Sequence, residues 1–132
     1  MTVEKVKLDG REFNVRIKFG SLRRSFEIVE GPNSGVSMSG RTMRDIIGTK
    51  YWYSMDVEPH PLYLNDYDDF YEAVSSPVDG HTIELPYGSG GETLMFECYV
   101  ESGEDTFNGR NGFDRWTGLH VEFYAQKPQR LM

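Results

Sequence analysis

One stretch near the middle of the chain constrains the fold more than any other. From residue 49 to 58, Tyr51, Tyr53, Met55 and Val57 alternate without a break with Lys50, Trp52, Ser54, Asp56 and Glu58. A period of two belongs to an extended strand with one apolar and one wet face, whereas a helix would scatter both sets around its circumference. Pro59 and Pro61 end the run, since neither can donate to a ladder. A single strand is not stable in water, so neighbours on its edges and a layer over its apolar face are implied.

The flanking sequence supplies those neighbours. Val6-Lys7-Leu8 leads into Asp9-Gly10, and Phe13, Val15, Ile17 and Phe19 then alternate with Asn14, Arg16 and Lys18. Asp-Gly between such runs marks a tight hairpin, because both residues tolerate positive φ. Ser25 to Val29 carries Phe26 and Ile28 on one face, and Gly31 to Gly35 is a turn by composition. Further strands are expected at His81–Leu85, Thr93–Glu101 and Trp116–Ala125. Their inward faces are Leu94, Phe96, Cys98 and Val100, then Leu119, Val121, Phe123 and Ala125. One helix is signalled near residues 66–75: Asn65 or Asp66 as cap, Tyr67, Phe70, Tyr71 and Val74 on one side, and Ser75-Ser76-Pro77 as stop. Residues 87–91 read as a hairpin loop, and Ser102–Asp114 as a long polar loop. The expected fold is mainly β, a single domain over residues 1–132. It is an antiparallel β-sandwich or barrel of about seven strands with one short flanking α-helix.

Charge narrows the function classes. Fourteen Lys and Arg against twenty-one Asp and Glu give a net charge of −7, which argues against a general nucleic-acid binder. Arg16, Lys18, Arg23 and Arg24 lie close in sequence, and they read best as a solvated strand face and turn. Cys98 is the only cysteine, so no internal disulfide can form, and on an apolar strand it behaves as a small hydrophobe. No signal peptide and no apolar run of membrane-spanning length is present, so synthesis in a cytoplasm without membrane insertion is expected.

Catalytic templates find no match. Gly88-Ser89-Gly90-Gly91-Glu92 lacks the Lys-Ser/Thr pair of a phosphate-binding loop, and no nucleophile elbow, HExxH or CxxC occurs. His60, His81 and His120 lack ligand spacing and read as surface or hydrogen-bonded residues rather than a metal site. Asp66, Asp68, Asp69 and Glu72 coincide with a helix start, where carboxylates are expected, and Asp105, Asn108 and Asn111 mimic a calcium loop only weakly. A non-enzyme without cofactor or metal is expected. Contact residues are the sharper candidates. Arg41 and Asp45 would share a strand face with Arg44 opposite, anchored to a neighbouring subunit by Ile46 and Ile47. Phe107, Arg110 and Phe113 offer a second contact from the long loop. The alternative is a carbohydrate- or host-surface-binding module, with Tyr51, Trp52, Tyr53, Trp116 and Tyr124 as a stacking platform. A small hydrolase with converging carboxylates ranks third.

The stretch Ser39-Gly40-Arg41-x-x-Arg44-Asp45-x-Ile47-Gly48-Thr49-Lys50, running into the alternating strand, resembles small proteins of the tail gene modules of Gram-positive phages and prophages. The likeness continues through Ser75-Ser76-Pro77, His81-Thr82-Ile83, Pro86-Tyr87-Gly88 and Trp116-x-Gly118-Leu119-x-Val121-x-Phe123, from about residue 8 to 130. It implies a virion tail component made in the host cytoplasm, of tail-tube or distal-tail plan and without known catalysis. Such a protein would self-associate as a ring and contact other phage tail proteins.

Overall fold

The computed structural model describes residues 6–109 and 115–131. Among these residues the strands are, in chain order, β1 (Val6–Leu8), β2 (Arg11–Phe13), β3 (Val15–Ile17), β4 (Arg23–Glu30), β5 (Gly35–Val36), β6 (Thr42–Met43) and β7 (Ile46–Pro59). Helix α1 (Leu64–Val74) precedes β8 (His81–Pro86), β9 (Thr93–Tyr99), β10 (Gly103–Asn108), β11 (Arg115–Ala125) and β12 (Arg130–Leu131). The fold is mainly β with one helix, as the alternation of apolar residues requires.

The alternating run is the spine. β7 has 14 residues, longer than the ten read from the sequence, and spans roughly 43 Å at strand rise. One edge takes β11, from Leu119 opposite Val57 to Tyr124 opposite Trp52, and β12 beyond it. The other edge takes β3 at the C-terminal end and β4 along the N-terminal half. From β11 the sheet continues antiparallel through β9, β8 and β1 to β2. β2 runs into β3 across Asn14, and β3 returns to β7. Residues 11–17 therefore touch both ends of the sheet and nearly close it into a barrel.

The strand expected over residues 13–19 is thus two strands with a corner at Asn14. Phe13, Val15 and Ile17 are buried as expected, but Phe19 lies past the end of β3 and is exposed. A corner removes ladder partners, and Asp66 replaces them: its Oδ2 accepts from the Asn14 amide at 2.8 Å and from Asn14 Nδ2 at 3.0 Å. The carboxylate expected to cap the helix is spent on the corner. The helix instead starts two residues earlier, after Tyr63, with no side-chain cap. Arg11 adds an ion pair to Asp69 at 2.9 Å, tying β2 to the helix again.

Tyr67, Phe70 and Val74 turn inward from α1, while Tyr71 of the expected face stays partly exposed. Phe70 meets Phe13 edge to face at 5.4 Å, and the core includes Val15, Ile17, Tyr53, Met55, Val57, Ile83, Leu85, Phe96, Leu119, Val121 and Phe123. At the β1–β2 hairpin Asp9 (φ 53) and Gly10 (φ 82) both adopt the left-handed conformation that a tight turn of this kind needs. Burying the inward apolar face of the barrel wall, part of it against the helix, is what holds the closure, at about 25 cal/mol per Å² removed from water.

Two expectations about loops are corrected. Residues 102–114 are not all loop: β10 pairs with β11, with an irregularity between Glu104 and Thr106. GEDTFN lacks an apolar alternation because five of its six residues are exposed, so only the partner strand reveals it. Residues 35–43 also form an unforeseen hairpin, β5 with β6, in a sheet separate from the barrel.

Candidate functional site

One region of the molecule lies outside the closed barrel. β11 pairs with β7 only from Trp52 onward; N-terminal to it β7 is flanked by β4 and β12, and the β5–β6 hairpin, between β4 and β7 in the chain, forms a separate two-stranded arm. At the base of the arm Gly31 donates to the Asp45 carbonyl at 2.7 Å, and the Asp45 amide donates to Ser34 Oγ at 2.8 Å. A Cβ on Gly31 would meet Asp45 Oδ2 at 2.5 Å, so a side chain here would require the Asp45 carboxylate to move. At its tip the Ser37 amide donates to the Arg41 carbonyl at 2.8 Å, and Gly40 (φ 84) completes the turn. Val36, Met38, Met43 and Ile47 are exposed along this arm, Met38 completely. For Val36, Met38 and Met43 the only sequence signal is an isolated apolar residue in a Ser- and Gly-rich stretch.

Of the expected contact residues, Arg41, Arg44, Asp45, Ile46 and Ile47 fall on or next to the arm. Arg41 and Asp45 do not share a strand face, because β6 covers only Thr42–Met43 and both lie outside it. Arg44 is ion-paired with Glu30. Asp45 is structural at the arm's base. Ile46 is half-buried opposite Glu30, and Ile47 is exposed. Phe107 lies far along the chain on β10, its ring 5.1 Å from that of Trp116, and both are about half exposed. Arg110, Phe113 and Asn111 lie outside the described residues.

Beside the arm, Arg24, Phe26, Ile28, Thr49, Tyr51, Tyr87 and Arg130 line an open groove of about 480 Å³. Arg24 donates to the Tyr87 carbonyl, and its guanidinium stands 5.6 Å from the centre of the Tyr87 ring. Tyr87 donates to Tyr51 Oη at 3.3 Å, and the hydrogen bond, with Arg130 nearby, holds the Tyr51 phenol below its ordinary pKa against a smaller opposing effect of burial.

The expected aromatic platform is divided by the sheet. Tyr53 is core, donating to the Pro86 carbonyl at 3.0 Å, with its phenol pKa raised by burial. Tyr51 faces the groove. Trp52, on the opposite face, has its ring 6.3 Å from Tyr124, and Tyr124 stacks on Tyr99 at 5.4 Å. These three half-buried rings span β7, β11 and β9 as one row, which Trp116 does not join. Tyr124 donates to Glu122, and that bond pushes its phenol up to about 12.

The histidines are separated. His81 is buried, its Nδ1 2.7 Å from Asp9 Oδ2, and Asp9 Oδ1 accepts from the Thr82 amide at 2.8 Å. Burial opposes ionisation of Asp9, but those two hydrogen bonds outweigh it and hold its carboxyl below the usual range. His60 is buried too and accepts from the Leu62 amide at 3.1 Å, whereas exposed His120 lies 2.7 Å from Asp56. Among the described residues no three His, Cys, Asp or Glu side chains are grouped to hold a metal ion. Asp105, read as a weak calcium ligand, instead accepts from Tyr67 Oη at 2.9 Å. Burial, with the Asp9 charge, pushes the Cys98 thiol up to about 12, the opposite of nucleophile activation. No helix among the described residues is long and apolar enough to cross a membrane. No protein-family model and no curated protein matches the sequence.

Proposed function

We propose that this chain is a non-enzymatic structural subunit of a phage or prophage tail, made in the bacterial cytoplasm and assembled into a ring with copies of itself and with other tail proteins. One observation carries the reading: an arm stiffened by its own hydrogen bonds projects Val36, Met38, Met43 and Ile47 into solvent. Single exposed apolar residues are ordinary, but several on one projecting hairpin are the mark of a surface that another protein covers. The resemblance of residues 39–50 to tail-module proteins bears on the same segment. In this reading Arg41, Ile47 and the arm tip meet a neighbouring subunit, Phe107 at the end of β10 offers a second contact, and Arg44 and Asp45 hold the arm in shape. A contact between different patches on identical subunits closes into a ring when the rotation allows it.

The test is assembly. The purified chain, alone and mixed with phage tail-tube and tape-measure proteins, should form rings visible by negative-stain microscopy, and Met38→Ser with Ile47→Ser should abolish them. A chain that stays monomeric with those proteins present overturns the reading. A second reading has its own observation, the row Trp52–Tyr124–Tyr99, whose faces suit a sugar ring. Binding on a glycan array that is lost in Trp52→Ala, together with failure to assemble, would favour it.

A further inference from the structure

β4 is the longest strand with an unused edge among the described residues. It pairs with β7 on one side and with no other strand of the described residues on the other. None of its eight residues is buried, and Phe26 is 66% exposed. A long exposed edge carrying Phe and Ile is a template for further pairing unless charges or proline block it. Here the charges are sorted: Arg23 and Arg24 open the strand, and Glu27 and Glu30 occupy its middle and end. An antiparallel copy of such a strand sets unlike ends against each other.

We infer that β4 pairs antiparallel with β4 of a second copy about a twofold axis at Glu27, so that one sheet runs through two protomers. An axis normal to the sheet keeps each face on its own side, so opposed residues must share a face and only registers joining residues of equal parity are possible. Centred on Glu27, Arg24 stands opposite the partner's Glu30 and Phe26 opposite the partner's Ile28. Centred on Phe26, Arg24 would oppose the partner's Ile28 and the charges would lose their match. The first register makes two unlike-charge pairs and two apolar pairs on one face. Glu30 can take a second cation, since Arg44 engages Oε1 and a carboxylate has two oxygens. The cost is Glu27 opposite the partner's Glu27. Lys50 stands across from Glu27 in the same protomer and puts a positive charge on either side of that pair. Phe26 and Ile28 line the groove with Tyr51 and Thr49, so the pairing continues this strip across the axis. A net charge of −7 disfavours unspecific contact between copies, so the contact must be locally complementary as this one is.

The pairing is isologous and joins two copies only. It does not rest on the ring reading, which needs a different patch. Sedimentation equilibrium of the full chain should show a monomer–dimer equilibrium. Arg24→Glu or Glu30→Arg alone should weaken it about tenfold, through lost ion pairs and new repulsions, and the double exchange should restore it. Glu27→Gln should tighten it. Circular dichroism of each variant separates unfolding from lost pairing. Only residue 27 meets its own copy, so Glu27→Cys should cross-link into a disulfide dimer under mild oxidation while Ser25→Cys should not. A monomer at millimolar concentration, no rescue by the double exchange, or cross-linking at both positions or at neither overturns the inference. Ring formation on the tail template would stand or fall separately.

Discussion

The two halves of β7 obey one sequence rule and reach opposite ends. In the C-terminal half Tyr53, Met55 and Val57 are 1%, 0% and 0% exposed. In the N-terminal half Ile47 is exposed, and so are Phe26 and Ile28 of the strand beside it. Alternation runs through both from Thr49 onward, with an irregularity in the pairing to β4 between Ile46 and Gly48, and both halves are paired on each edge. What differs is the layer above the apolar face. The C-terminal half faces the opposite barrel wall and α1, whereas the N-terminal half faces an open groove with Tyr87 and Arg130 at its side. A period of two thus encodes a strand with an apolar face, and burial of that face needs a second layer the strand does not specify.

The contrast can be broken most directly by truncating one side chain in each half. Phe70→Ala, under the covered half, should cost about 3–5 kcal/mol in urea unfolding, because it empties the contact between helix and corner. Phe26→Ala in the uncovered half should change monomer stability by less than about 0.5 kcal/mol. Equal losses would mean that the arm and barrel form one layer after all. An effect between these two is expected at the corner. Asp66→Ala leaves the Asn14 amide without its acceptor and should cost about 1–3 kcal/mol, with faster hydrogen exchange at Asn14.

Acid sharpens the comparison further, because Asp9 belongs to the covered side. Its folded pKa is depressed, so its stabilisation is complete above about 3.9 and is lost as pH falls through the lower folded value. The carboxylate is half exposed and screened, so the loss should stay below about 1 kcal/mol, and Asp9→Asn should flatten this part of the pH profile in unfolding titrations. The smallest difference is dynamic. Amides of β8 and β9 should exchange only with global unfolding, while those of β5 and β6, with two registered residue pairs, should exchange by local opening.

Much of the barrel was legible in the sequence, and most of the candidate surface was not. The strands around Met55, Ile83, Phe96 and Val121 carry clean alternation, and Asp9-Gly10 marks its turn by the φ its residues tolerate. β10 was hidden because an edge strand exposed on both faces has no alternation to show. The helix start was misplaced because Asp66 is an equally good cap or tether, and only the position of Asn14 decides between them. The five aromatics read as one platform were divided because strand faces fix which rings are opposed, while the identity of a third member, Tyr99, depends on β9 lying beside β11.

By itself the sequence determined the class of fold, since apolar periodicity, proline stops and turn residues act over a few positions and need no distant partner. The tertiary structure decided where the barrel closes, which half of β7 is covered and which edge of β4 is left open. Those depend on contacts between residues far apart in the chain, such as Asn14 with Asp66 and Val15 with Pro59, whose geometry no local pattern records.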